Sequence, residues 1–150
     1  MPNVFEPEWD VERDDGPFRW RRAFVARQAG GRRLGASLFE LAPGAATFPL
    51  HAHYINEELI VVLSGQPTLI IADGSRRPLA PGEVVACPVG PAGAHRLDNE
   101  TAEPARVLIV STMQSPETNL MLEDGTYWLH DWGGAEPGFE GLDVRLRPVD

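Results

Sequence analysis

A short segment of the chain, HAHYINEE at residues 51–58, concentrates side chains that bind metal ions. Successive side chains of a β-strand point to opposite faces, so His51 and His53 lie on the same face, about 7 Å apart along the strand. Two imidazoles on one face can chelate a metal. A turn over residues 54–57 would return Glu58 to the histidines and add an anionic oxygen ligand. The segment therefore predicts three metal ligands from one hairpin.

A further histidine, His95, is the candidate fourth ligand. It follows the loop PVGPAGA at residues 88–94, whose glycine and proline residues suit a sharp, rigid connection. His95 begins an apolar segment and would have to reach the other ligands across the interior of the fold. Three imidazoles and one carboxylate leave open coordination positions for substrate, water or O₂. We expect one divalent ion, and this ligand set suits Fe(II), Mn(II), Ni(II) or Zn(II) alike.

Each of these residues also has an interpretation without a metal. A lone histidine is more often a surface or core residue, but three of the four histidines fall in this set. Glu58 could be a solvated carboxylate, yet the apolar residues 59–63 favour burial, where an unpaired charge is costly. His130 is expected to pack or to face solvent. The single cysteine, Cys87, is expected to be a buried, inert thiol.

Short apolar segments separated by turn residues make up most of the chain. Its 15 glycines and 14 prolines lie between these segments, which is typical of many short strands. No segment has the pattern of an amphipathic helix, so the predicted fold class is all-β, a sandwich or barrel. The predicted strands cover residues 18–26, 34–41, 47–53, 58–64, 68–72, 83–87, 95–99 and 106–113.

The candidate ligands lie in two segments that resemble the sequence motifs of the cupin superfamily. The first motif is matched by Gly44, His51, His53, Glu58 and Gly65. The second motif is matched by Gly82, Pro88, Gly90, His95 and Asn99, with a longer spacer than usual before the histidine. The resemblance covers residues 34–113 and is to small bacterial cupin-domain proteins of uncharacterised activity. It implies a jelly-roll barrel, or double-stranded β-helix, with a metal inside, and it assigns Glu58 rather than Glu57 as the ligand.

The length of the chain fits one domain. It has 150 residues, of which 43% are hydrophobic, enough to bury a core without disulfide or zinc support. We expect an N-terminal arm and edge strand over residues 1–33 and the barrel core over residues 34–114. Residues 115–150 are expected to form an extended C-terminal arm that packs its isolated aromatic side chains on the barrel or on a neighbour. These aromatic residues are Tyr127, Trp128, Trp132 and Phe139.

Strand alternation predicts which side chains surround the metal. Four side chains share the inward face with the ligands. They are Thr47, Ile60, Val62 and Leu97. Because this set is mostly apolar, we expect a small, largely apolar substrate that chelates the metal.

The opposite face of the strand at residues 58–64 is equally apolar, with Leu59, Val61 and Leu63. A strand that is apolar on both faces is buried on both. Its cover is either the N-terminal segment around Phe18, Trp20 and Phe24 or a second subunit. We expect a homodimer, as the resemblance to cupins also implies.

Charge and composition restrict the partners. The chain carries 22 acidic and 13 basic residues, a formal net charge of -9, which disfavours nucleic acids and anionic membranes. The N-terminal residues lack the basic flank and apolar run of a secretory signal. No apolar stretch approaches the roughly 18 residues that span a bilayer. With a single cysteine, these features predict a cytoplasmic protein that acts on a small molecule.

The sequence predicts a metalloenzyme. Dioxygenase chemistry on a chelating enol or diketone comes first, and metal-assisted isomerisation, decarboxylation or lyase chemistry follows closely. One alternative is a non-enzymatic module that binds or senses a small ligand, because one fold hosts many functions. Another is a metal-free isomerase with His53 as general base, which would require His95 to lie away from the other ligands.

Overall fold

Two antiparallel β-sheets form the molecule. The computed structural model describes residues 1–131 and 142–147. The strands are β1 (Val11–Asp15), β2 (Phe18–Ala23), β3 (Gly35–Leu41), β4 (His51–His53), β5 (Glu58–Ser64), β6 (Thr68–Ile71), β7 (Arg76–Pro78), β8 (Val84–Cys87), β9 (His95–Asp98), β10 (Ala105–Ser111), β11 (Glu117–Met121), β12 (Tyr127–Asp131) and β13 (Leu142–Leu146). The described helices are a four-residue α-helix, α1 (Val25–Gln28), and a 3₁₀ turn, Pro91–Gly93.

The chain passes repeatedly from one sheet to the other. The six-stranded sheet has the order β1-β2-β3-β10-β5-β8, and the seven-stranded sheet has the order β13-β12-β11-β4-β9-β6-β7. Consecutive strands such as β3, β4 and β5 therefore alternate between the sheets, as they do in a jelly roll. The predicted all-β fold class, with a jelly-roll barrel, is confirmed.

The core lies between the two sheets. Its main cluster contains large apolar side chains from both sheets. The rings of Trp20 and Phe39 pack edge to face, with their centroids 5.3 Å apart. The four side chains predicted to surround the metal lie in this interior, each 3% exposed or less. They are Thr47, Ile60, Val62 and Leu97. Their contact with a ligand stays a prediction.

The outer face of β5 has two different surroundings. Leu63 packs against a second apolar cluster that includes Val25 and the N-terminal Trp9. The N-terminal segment thus covers part of this face, as one alternative proposed, but Phe18 and Trp20 do not take part because both pack in the interior. Leu59 remains 41% exposed in the monomer. A second subunit over this part stays a prediction.

The C-terminal segment is more regular than the sequence suggests. Strand β11 pairs with β4, and β12 and β13 extend the same sheet beyond it. Strands β11 and β12 of the expected C-terminal arm therefore pack on the barrel as part of its sheet, whereas Trp132 and Phe139 lie outside the described residues. The predicted strand over 47–53 is shortened to β4, which begins after Pro49, a residue without the N–H that a strand ladder needs. None of the helices described is long and apolar enough to cross a membrane.

Candidate metal centre

The candidate ligands come from three strands that meet at one end of the barrel. Strand β4 supplies His51 and His53, whose side chains share a face because the strand has a period of two. Strand β9 begins at His95, which pairs directly with His51. Glu58 is the first residue of β5 in the opposite sheet. The site thus bridges the two sheets.

The four predicted ligands lie together. The three histidines each offer a ring nitrogen, and these nitrogens all lie within 4.8 Å of one another. His51 Nε2 is 3.1 Å from His53 Nε2. Glu58 Oε2 lies 3.4 Å from His53 Nε2 and 3.2 Å from His95 Nε2. The four side chains predicted as ligands therefore lie close to one another, and metal binding itself stays a prediction.

Hydrogen bonds to the backbone orient two of the three imidazoles and leave their Nε2 atoms on the side of the other ligands. His51 Nδ1–H donates to the carbonyl of Pro49 at 2.9 Å, and His95 Nδ1–H donates to the carbonyl of Gly93 at 2.9 Å. A backbone bond of this kind fixes the orientation of a metal-binding ring and leaves its Nε2 for the metal. The donor set therefore fits one divalent ion.

The loop before His95 is held close to β4. Gly90 has a φ of 83°, in the left-handed region that favours glycine, and its N–H donates to the carbonyl of His53 at 2.6 Å. A Cβ on Gly93 would lie 1.7 Å from the carbonyl oxygen of Pro88, so only glycine fits there. The 3₁₀ turn takes up the longer spacer and leaves His95 in contact with Glu58.

Sequence analysis missed one acidic residue beside the site. Glu117, on β11, is 3% exposed, and its Oε2 lies 3.5 Å from His53 Nδ1, the side of the ring away from the other ligands. At this distance the contact is chiefly electrostatic. It favours a proton on Nδ1 and leaves Nε2 to the metal. No local pattern announces Glu117, because only the pairing of β11 with β4 brings it near.

The charges within the site are strongly coupled. Burial, and then repulsion from His95 and His53, lowers the pKa of His51 to about 3. Burial opposes a charge on His53, but its contacts with Glu117 and Glu58 raise its pKa to about 9. Burial likewise opposes a charge on His95, but Cys87 and Glu58 raise its pKa to about 10. Without metal, two protonated imidazoles therefore flank an ionised Glu58, and metal must displace two protons.

Stability of the metal-free protein should fall as the pH rises from 6.5 to about 10. In the unfolded chain both imidazoles lose their protons near pH 6.5, but in the folded protein His53 and His95 hold theirs to about 9 and 10. Between these pH values the folded state binds more protons than the unfolded chain. For each imidazole, the free energy of unfolding therefore falls by about 1.4 kcal/mol for every unit by which the pH rises. Urea denaturation at pH 6.5, 8 and 9.5 measures this. Unchanged or increasing stability would contradict the assigned protonation.

Comparisons with known proteins agree with this architecture. Residues 37–111 match the family model of the cupin domain. A sugar phosphate isomerase of the cupin superfamily from Silicibacter pomeroyi superposes with a TM-score of 0.81 at 23% identity, covering 98% of this chain and 92% of that one. A cupin 2 conserved barrel domain protein from Salinispora arenicola has a TM-score of 0.54 at 26% identity, over 75% and 86% of the two chains.

A third similar structure is the polyketide cyclase RemF from Streptomyces resistomycificus. Its TM-score is 0.66 at 24% identity, and the match covers 83% of this chain and 87% of that one. The search of curated proteins found no match. These likenesses establish the fold.

Proposed function

The chain belongs to the cupin family, and we propose that it is a metalloenzyme with one divalent ion on His51, His53, His95 and Glu58. The convergence of three imidazole nitrogens and a carboxylate in the barrel carries this proposal. Outside a metal site, such a group of buried titratable side chains is costly to bring together. The metal can be Fe, Mn, Ni or Zn, since all four accept nitrogen and oxygen ligands.

The substrate we propose is a small molecule with two neighbouring oxygen atoms that chelate the metal. Bound there, a divalent metal supplies Lewis-acid polarisation of a substrate oxygen. The backbone bonds to Pro49 and Gly93 hold two of the imidazoles in place during turnover. Side chains of Glu58 and His53 are each 14% exposed, so the site is reached from solvent.

Two reaction classes suit this site. The first is dioxygenation of a chelated enol or diketone. The second is metal-assisted isomerisation, decarboxylation or lyase chemistry, in which a bound metal would polarise a substrate oxygen.

Two alternatives lack a metal or catalysis. A metal-free isomerase needed His95 to lie away from the other ligands, but His95 Nε2 is 3.2 Å from Glu58. A non-enzymatic binding module would use the same site without turnover, so a search for turnover separates it from an enzyme. A homodimer and a cytoplasmic location also stay part of this proposal, the first supported by exposed Leu59 and Val84 on the outer face.

Turnover can be tested with protein loaded separately with Fe(II), Mn(II), Ni(II) and Zn(II). Each form is offered 1,3-diketones, 2-hydroxyketones and 2-oxo acids. We expect either O₂ uptake at an electrode or deuterium incorporation next to the carbonyl, observed by NMR in D₂O, and neither with His51→Ala. Binding of these compounds to the metal-loaded protein with no O₂ uptake and no exchange would instead indicate a binding module.

A further inference from the structure

A positively charged side chain lies on the inner face of β2. Trp20 of this strand belongs to the interior core, and Arg22, two residues later, points to the same side. The Arg22 guanidinium lies over the rings of Phe24 and Phe39, at 4.3 and 5.0 Å from their centroids. Its Nε and Nη2 both donate to Ser37 Oγ, at 3.1 and 2.9 Å. The side chain is therefore held in one orientation.

Arg22 has no anionic partner in the described part of the chain. No carboxylate there lies within ion-pair distance of it, and its Nη1 has no protein acceptor. The neighbouring Arg21, on the outer face, contrasts with it and pairs with Glu40. Burial lowers the pKa of Arg22 to about 10, so the group remains charged at neutral pH. Arg22 is partly buried, and a guanidinium held in one orientation without an anionic partner is well placed to bind an anion.

Arg22 lies on the same interior surface as the metal centre. Among the charged groups near Arg22, the carboxylate of Glu58 raises the pKa of Arg22 the most. A row of aromatic rings connects Arg22 with the metal centre. The ring centroids of Phe39 and Phe48 are 5.7 Å apart, and those of Phe48 and His51 are 6.1 Å apart. A small molecule on the metal could thus extend along these rings to the guanidinium.

We propose that Arg22 binds a carboxylate or phosphate group of the substrate whose other end chelates the metal. This inference rests on the proposed function and deepens it, because it changes the expected substrate from largely apolar to anionic. The free Nη1 and the second hydrogen of Nη2 are adjacent donors in one plane, the arrangement that binds two oxygens of an anion. Ser37 and the two phenylalanine rings orient the guanidinium.

Three hydroxamates of similar length test the proposal on Co(II)-loaded protein, with the visible absorption of the metal as readout. Butanohydroxamate ends in a methyl group, succinic monohydroxamate in a carboxylate and 3-phosphonopropanohydroxamate in a phosphonate. We expect at least one anionic compound to bind about tenfold tighter than the neutral one. The preferred compound then identifies the anion as carboxylate or phosphate.

Variants assign that preference to Arg22. Arg22→Gln should bind butanohydroxamate like the wild type and lose the preference for the anion. Arg22→Lys should keep part of it, since the charge remains but the planar pair of donors is lost. Arg21→Gln, the matched control on the outer face, should keep all of it. Equal affinity for the three compounds, or a preference that survives in Arg22→Gln, would overturn the proposal.

A failure of the metal site gives a different result. Butanohydroxamate would then cause no spectral change in any variant. In that case the melting temperature of metal-free protein is compared in sodium phosphate, sodium succinate and sodium chloride of equal ionic strength. Stabilisation by phosphate or succinate in the wild type and Arg21→Gln, but not in Arg22→Gln, would support the anion site alone. Equal melting temperatures in all three salts would overturn it.

Discussion

Replacing Glu117 with alanine is expected to lower the free energy of unfolding by about 3 kcal/mol or more. The carboxylate is buried and accepts the backbone N–H groups of Asn56 and Thr118, at 2.9 and 2.7 Å. It also lies 3.3 and 3.2 Å from the backbone nitrogens of Tyr54 and Ile55. Without it the N–H groups of Ile55 and Asn56 lose this acceptor, whereas the N–H of Tyr54 still donates to the carbonyl of Thr118 at 2.9 Å. The turn between β4 and β5 is then held to β11 by fewer hydrogen bonds. Urea denaturation of the metal-free variant at pH 7 measures the loss.

The matched control is Glu123→Ala. Glu123 follows β11, is exposed, and forms an ion pair with Arg96. Its free energy of unfolding should change by less than about 1 kcal/mol, because exposed ion pairs contribute little. Glu117→Gln separates packing from charge: it keeps the volume but brings an NH₂ group against N–H donors. We expect Glu117→Gln to be intermediate in stability and to bind metal about 10 to 100 times more weakly, because His53 loses its carboxylate partner. A loss below 1 kcal/mol in Glu117→Ala would show that the turn does not depend on this residue.

Replacing Glu58 with alanine is expected to weaken metal binding at least about 100-fold, more than the loss of an outer partner such as Glu117. The variant lacks the anion among the proposed ligands. It also removes the carboxylate that holds protons on His53 and His95, so their pKa values in the metal-free protein should fall from about 9 and 10. The dissociation constant for Zn(II), measured by competition with a chromophoric chelator, and NMR titration of the imidazoles test these two effects.

Glu57→Ala provides the control for that experiment. Glu57 is adjacent in sequence but exposed, and the spacing of the first motif excludes it as the ligand. Its affinity for Zn(II) and the pKa values of the histidines should match those of the wild type. If Glu57→Ala weakened binding as much as Glu58→Ala, the assignment of the carboxylate would be wrong.

The strands with regular alternation could be predicted from the sequence. The prediction over residues 58–64 has the same bounds as β5, where the inner Ile60 is fully buried and the outer Leu59 is exposed. Alternation of this kind reports which face of the strand meets the core. The four proposed ligands could also be predicted, because His51, His53, Glu58 and His95 lie at fixed spacings within two short segments.

The features that depend on distant pairing could not be predicted. Strand β1 reads VERDD, which has no apolar face, and it forms by pairing with β2 at the edge of the sheet. Strand β11 is placed by its pairing with β4, and so is Glu117 beside His53. Arg22 was missed for a related reason. An arginine in a strand is usually solvated, and only the closure of the barrel turns this one inward, against Phe39.

The measurement that tests the metal centre most directly is the metal content of untagged protein, determined by elemental mass spectrometry after dialysis without chelator. Wild type is compared with His51→Ala, and with His130→Ala as control, because His130 on β12 is not part of the histidine cluster. We predict about one metal ion per chain in the wild type and in His130→Ala, and almost none in His51→Ala. A wild type that contains no metal and takes up none of Fe(II), Mn(II), Ni(II) or Zn(II) would contradict the account.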